Sequence, residues 1–151
     1  MRRYYSSFFH CLFKGFALTV ALGVTLAPPV SAFTAVNRLH VQPTGQQGQF
    51  EVISSQGAGP RQIWCAGANF ARSALGVAGN TRLYISKGLS PSAAFRGRKS
   101  VIFTVAPSAA LRNGPRLGDG GNYSVSLTKA GFNLSANHAE GFCEDVWTDF
   151  D

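Results

Sequence analysis

The stretch Pro60-Arg61-Gln62-Ile63-Trp64-Cys65-Ala66-Gly67-Ala68-Asn69-Phe70-Ala71-Arg72-Ser73-Ala74-Leu75-Gly76 decides the fold. Proline suits the first turn of a helix, where its missing N–H is no loss. No further proline follows before Gly76, a residue suited to ending one. Ile63, Trp64, Gly67, Ala68, Phe70, Ala71, Ala74 and Leu75 recur at i, i+3, i+4 spacing and fall on one side. Gly67, Ala68, Ala71 and Ala74 make that side flat, so the helix is expected to lie close against a sheet. Cys65 falls about 60° past the edge of the stripe at roughly 100° per residue, a position suited to tethering a flanking segment.

The segments flanking this helix read as strands. Residues 36–41 form a short apolar run ended by Pro43, and residues 49–53 alternate, with Phe50 and Val52 on one face and Gln49 and Glu51 on the other. After the helix, residues 81–86 alternate Leu83 and Ile85 against Arg82 and Tyr84. Residues 87–97 carry Gly88, Pro91 and serines and read as a loop, and residues 98–105 are the strongest strand, with Val101, Phe103 and Val105 on one face. Asn113-Gly114-Pro115 and Gly118-Asp119-Gly120-Gly121 mark residues 108–121 as a long loop. Residues 123–127 alternate Tyr123, Val125 and Leu127 inward against Ser124 and Ser126. Ser135 is placed to cap a short helix from Ala136 to about residue 143. The sequence therefore predicts an α+β fold: an antiparallel sheet of four to five strands, one long helix packed on a face, a short C-terminal helix and one disulfide.

The first residues bear on destination. Arg2 and Arg3 open the chain, residues 11–27 are mostly apolar, Pro28-Pro29 breaks the run, and Val30-Ser31-Ala32 offers small residues for cleavage. This pattern predicts a signal peptide over residues 1–32 and a periplasmic or secreted single domain over 33–151 with a short acidic tail. Lys14 leaves about a dozen apolar or small residues, short of the roughly 20 of a spanning helix, so no stable membrane span is expected after cleavage. The full chain has 14 Lys plus Arg and 7 Asp plus Glu, a net charge of +7. Without residues 1–32, which hold Arg2, Arg3 and Lys14, 11 basic and 7 acidic residues leave +4. That mild excess does not indicate a nucleic-acid partner, and Glu140, Glu144, Asp145, Asp149 and Asp151 crowd the end opposite a basic middle. An apolar fraction of 45% with only 14% charged residues excludes a wholly disordered chain.

Cys11 leaves with the signal peptide, so two cysteines remain, Cys65 and Cys143. An even number in an exported chain points to one disulfide; free thiols or a bridge between chains are the alternatives. In the chain-entropy description, closing that loop stabilises by at most about 4.5 kcal/mol. The wide spacing is unlike the Cys-x-x-Cys of redox motifs.

The segment Trp64-Cys65-Ala66-Gly67-Ala68-Asn69-Phe70-Ala71, preceded by Phe50-Glu51-Val52 and Gly57-Ala58-Gly59-Pro60, resembles a group of small exported alphaproteobacterial proteins with a second cysteine near the C-terminus. Arg82-Leu83-Tyr84-Ile85, Val101-Ile102-Phe103 and Asn133-Leu134-Ser135-Ala136 continue the resemblance. It implies export and a disulfide-bonded α+β domain, and no particular reaction.

Catalytic chemistry is poorly represented. His40 and His138 lie in no nucleophile motif, and Glu51 is the lone carboxylate before Asp119. A hydrolase assembled from dispersed His138, Glu140 and Glu51 is the alternative reading; no cofactor is indicated. His138, Glu140 and Glu144 lack a second histidine or cysteine, so no metal site is expected. The glycines at 118–121 lead into a predicted strand, whereas phosphate-cradling loops lead into a helix. The candidate functional set is instead cationic: Arg96, Arg98 and Lys99 with Lys87 and Arg82 around one sheet edge, suited to an anionic envelope component or an envelope protein. The same charges also serve a solvated edge that resists strand pairing.

Overall fold

A computed structural model describes residues 32–55 and 57–144. The signal-peptide expectation, save for Ala32, and the acidic tail with Trp147 and Phe150 lie outside the described residues. The described chain runs β1 (Phe33–Thr34), β2 (His40–Pro43), β3 (Gln49–Ser54), α1 (Pro60–Ser73), β4 (Arg82–Pro91), β5 (Lys99–Thr104), α2 (Ala109–Arg112), a 3-10 turn (Asp119–Gly121), β6 (Asn133–Ser135) and α3 (Ala136–Gly141). The strands form one sheet in the order β1-β2-β3-β5-β4-β6, antiparallel throughout. The α+β architecture, the helix on the sheet and the staple stand as the sequence predicts, with six strands in place of four to five.

Register explains which face is buried. Val41, Val52 and Val101 are paired across β2, β3 and β5, and Phe50, Phe103 and Ile85 across β3, β5 and β4. Paired residues share a face, so these rows form one apolar surface, completed by Leu83 opposite Leu134. Against it α1 sets Ile63, Trp64, Phe70 and Ala71, all buried. Gly67 permits the close approach: a Cβ there would lie 3.3 Å from Leu83 and Phe103 side-chain atoms. Phe50 and Phe70 ring centroids are 4.6 Å apart, and Trp64 meets Phe103 edge-on at 4.7 Å, a favoured aromatic geometry.

Both helix ends follow local chemistry. Pro60 opens α1, and the Gln62 side chain accepts from the Gly59 N–H at 3.0 Å. The helix stops at Ser73, two residues short of the predicted end, and Gly76, at φ +66, turns the chain away. Ser135 caps α3, its hydroxyl accepting from the His138 N–H at 3.3 Å. Cys143 follows and bonds to Cys65, with their Cα atoms 5.0 Å apart, tying α3 to α1. Cys65 is fully buried, so the staple is interior to the α1–α3 contact and not at its margin.

Several local expectations are corrected. Most of the first predicted strand, residues 36–41, is instead the tight turn between two short strands, β1 and β2, in which Arg38 takes φ +64; only residues 40 and 41 of it are strand. β4 continues to Pro91, through residues expected to be loop. Register shifts between Ile85 and Lys87 and between Lys87 and Ser90 break the alternation that would mark a strand. Residues 123–127 are not a strand: Asn122 and Ser126 side chains take the Ser124, Thr128 and Lys129 N–H groups in turns, which compete with a ladder. The sixth strand is Asn133–Ser135, too short to show a period. Finally, Glu51 is only 3% exposed, because the 92–98 loop covers the sheet face turned away from α1.

Candidate anion-binding site

The predicted cations divide between two ends of the sheet. β4 spans ten residues, on the order of 30 Å at a strand's rise. Arg82 stands at its start and the Arg96, Arg98 and Lys99 group beyond its end. Lys87 is exposed between them, opposite Ile102 on the sheet face away from α1.

At the hairpin end, the loop joining β4 to β5 is fixed from within. The Ser92 N–H donates to the Arg98 carbonyl at 2.9 Å, and the Ser92 hydroxyl accepts from the Ala94 and Phe95 N–H groups at 3.2 and 3.0 Å. Gly97, at φ +79, supplies the left-handed step. One oxygen of buried Glu51 accepts from both the Ala93 N–H, at 3.2 Å, and the Ser100 hydroxyl. A carboxylate taken out of water needs such donors, and here they anchor the loop to the sheet. Alternation along the chain sends Arg98 to the face away from α1, with Ser100, and Lys99 to the α1 side, with Val101.

Arg98 therefore meets residues that sequence spacing does not join to it. Together with Arg38, His40, Ile53, Ser55 and Phe95 it lines an open cavity of about 300 Å³. Arg38 comes from the β1–β2 turn, where its N–H donates to the Ala35 carbonyl at 2.8 Å and Asn37 Nδ2 donates to the Gln62 carbonyl at 2.6 Å. A residue with a Cβ in the left-handed region costs about 1–2 kcal/mol. His40 Nδ1 lies 3.4 Å from the Thr34 hydroxyl oxygen. Phe95 is 38% exposed at the tip of the loop. Two guanidinium groups, an imidazole and an aromatic ring at one opening can pair with an oxyanion and offer apolar surface beside it.

At the other end Arg82 has a structural partner. Its Nη2 donates to the Asn133 carbonyl at 2.9 Å, and its Nε donates to Asn133 Oδ1. Burial, and after it the neighbouring Arg116 charge, lowers the pKa of the Arg82 guanidinium, with Tyr84 opposing. Arginine stays protonated even so.

The hydrolase residues are not brought to one cleft. Glu51 lies under the 92–98 loop on the sheet face away from α1, whereas α3 packs on α1. There His138 stands edge-on to Phe142 at 5.4 Å, and Glu140 pairs with Arg72 at 3.3 Å. Among the described residues no three His, Cys, Asp or Glu side chains gather as a metal site would require. No helix among them is long and apolar enough to cross a membrane. Arg38 and His40 escaped sequence reasoning because they meet Arg98 only through strand pairing, whereas Phe95 lies in the same loop and its carbonyl accepts the Arg98 N–H at 3.1 Å. The asparagine-arginine turn at Asn37-Arg38 was the one local signal. No protein-family model, curated protein or solved structure matches the chain.

Proposed function

We propose that this is an exported, disulfide-stapled binding domain whose hairpin end holds the phosphate of an anionic envelope amphiphile. The observation that carries the reading is the convergence of Arg38 and Arg98 on one cavity beside the exposed Phe95. Strain is retained where a side chain has work to do: glycine would satisfy the φ of +64 at position 38 more cheaply, yet the chain has arginine there. Paired guanidinium groups match phosphate geometry, and Phe95 adds an apolar contact at the boundary between headgroup and acyl chain. Arg96 and Lys99, both exposed nearby, supply longer-range attraction. Export into an oxidising compartment is the setting in which a Cys65–Cys143 bond persists. The predicted signal peptide and the resemblance to small exported proteins support the same setting.

The test is co-sedimentation with phosphatidylglycerol-containing vesicles against phosphatidylcholine alone, with lipopolysaccharide as a third arm. Binding to one or both anionic surfaces is expected, weakening as salt rises and lost in an Arg38→Ala, Arg98→Ala double variant. Equal binding to neutral vesicles, or anionic binding indifferent to both salt and the double variant, would overturn the proposal.

A further inference from the structure

Beyond β6, three loop segments are locked into a second concave surface. Asn133 is fully buried, and its Nδ2 donates to the Gly131 carbonyl at 2.8 Å, with the Pro115 and Gly114 carbonyls at 3.4 and 3.5 Å. The backbones of Gly114 and Gly131 touch so closely that a Cβ on Gly114 would lie 2.2 Å from the Gly131 carbonyl oxygen. From below, Trp64 Nε1 donates to the Ser126 carbonyl at 2.9 Å. The cavity these segments enclose measures about 210 Å³, with Arg116 and Lys129 as cations and Asp119, Asn122 and Ser124 as hydrogen-bonding groups. Asp119 Oδ2 already accepts from the Arg116 N–H at 2.7 Å.

A neighbouring cavity of about 390 Å³ shares Ser124 and Val125 with the first and is lined on its far side by Pro60 and Arg61. Tyr123 also lines it and is 77% exposed, the most exposed large hydrophobic side chain among the described residues. Its ring edge rests near Gly118, where an added Cβ would lie 3.4 Å from Tyr123 Cε1.

We infer that this surface binds an acidic oligosaccharide, with one ring in the smaller cavity and the chain passing over Tyr123 into the larger one. The smaller cavity lies below the roughly 300 Å³ at which pockets for drug-sized ligands begin, which suits one ring-sized unit. Its amide, hydroxyl and carboxylate groups match a polyhydroxylated ring. Two cations against one carboxylate leave a positive excess for an acid substituent. Tyr123 offers a flat apolar face for the C–H side of a sugar while its hydroxyl stays in water.

The test uses the whole chain and a panel of oligogalacturonate, hyaluronan oligosaccharides and muramic-acid-containing glycan strands, with cello-oligosaccharide as the neutral control, read by calorimetry. Binding of at least one acidic member and not of the neutral one is expected. It should fall about ten-fold or more in Tyr123→Ala and be reduced in Lys129→Ala, both exposed positions, and stay unchanged in the Arg38→Ala, Arg98→Ala variant. Failure of every acidic member to bind, or binding that survives both substitutions or follows Arg38 and Arg98 instead, would overturn the inference. None of these outcomes depends on whether the hairpin end binds phosphate.

Discussion

At the hairpin end of the sheet, Arg98 rides on a short loop tied down by one buried carboxylate, and its companion Arg38 sits in a left-handed turn contributed by a different hairpin. At the β6 end, Arg82 and Arg116 belong to a surface made by a buried asparagine and two glycine backbones in contact. Both ends are basic, but the charges have different duties. Arg82 uses its guanidinium on Asn133 and so supports its surroundings, whereas Arg98 is exposed and held through its backbone, leaving the side chain at the cavity mouth. A run of basic residues in sequence thus resolves into one cation that builds the fold and others that face solvent, and hydrogen bonding separates the two.

Asn133→Ala should separate the two ends most strongly. Removing the buried amide leaves the Gly131 carbonyl and the Arg82 Nε without their partner, although the Arg82 Nη2 bond to the Asn133 backbone carbonyl remains, and should cost about 3 kcal/mol by chemical denaturation. Backbone amides over 114–131 should exchange faster while those over 92–98 keep their protection. A loss below about 1 kcal/mol, or exchange that quickens equally at both ends, would show that Asn133 does not organise the β6 end.

A smaller effect is expected from Glu51→Leu, which strips the Ala93 N–H and the Ser100 hydroxyl of their acceptor at a cost of about 1–3 kcal/mol. Hydrogen exchange should quicken at Ala93 and its loop neighbours and leave the 114–131 segment unchanged. Unaltered exchange at Ala93 would remove Glu51 from its anchoring role.

The smallest change in stability belongs to Arg38→Gly. Relief of the left-handed conformation and the greater freedom of glycine in the unfolded chain oppose one another, so stability should stay within about 1 kcal/mol of the parent. Binding to anionic vesicles should nonetheless fall. A stable variant that binds as the parent does would mean that Arg38 contributes nothing to recognition.

What the sequence made legible follows the same division. α1 announced itself through Pro60 and the small-residue stripe, β3 and β5 through alternating apolar residues, α3 through Ser135, and the staple through the cysteine count. β4 was half hidden because its register shifts destroy the period that betrays a strand. The 123–127 segment imitated one because Val125 and Leu127 do pack on the core, while the Asn122 side chain takes the Ser124 N–H and the Ser126 hydroxyl takes those of Thr128 and Lys129 just beyond it. Of the cationic set, Arg98 is placed in a cavity and Arg82 is placed in the fold's own hydrogen bonding; no spacing rule distinguishes these two. Arg38 joins Arg98 through β2–β3–β5 pairing, a long-range consequence of register that local pattern does not encode.

The most direct measurement is an amide-resolved NMR titration with a water-soluble short-chain phosphatidylglycerol below its micelle concentration. Saturable shifts are expected at residues 38–40, 53–55 and 93–98, weakening as salt is added, with residues 114–132 unmoved. Shifts centred on residues 114–132, or none at the hairpin end, would contradict phosphate binding there.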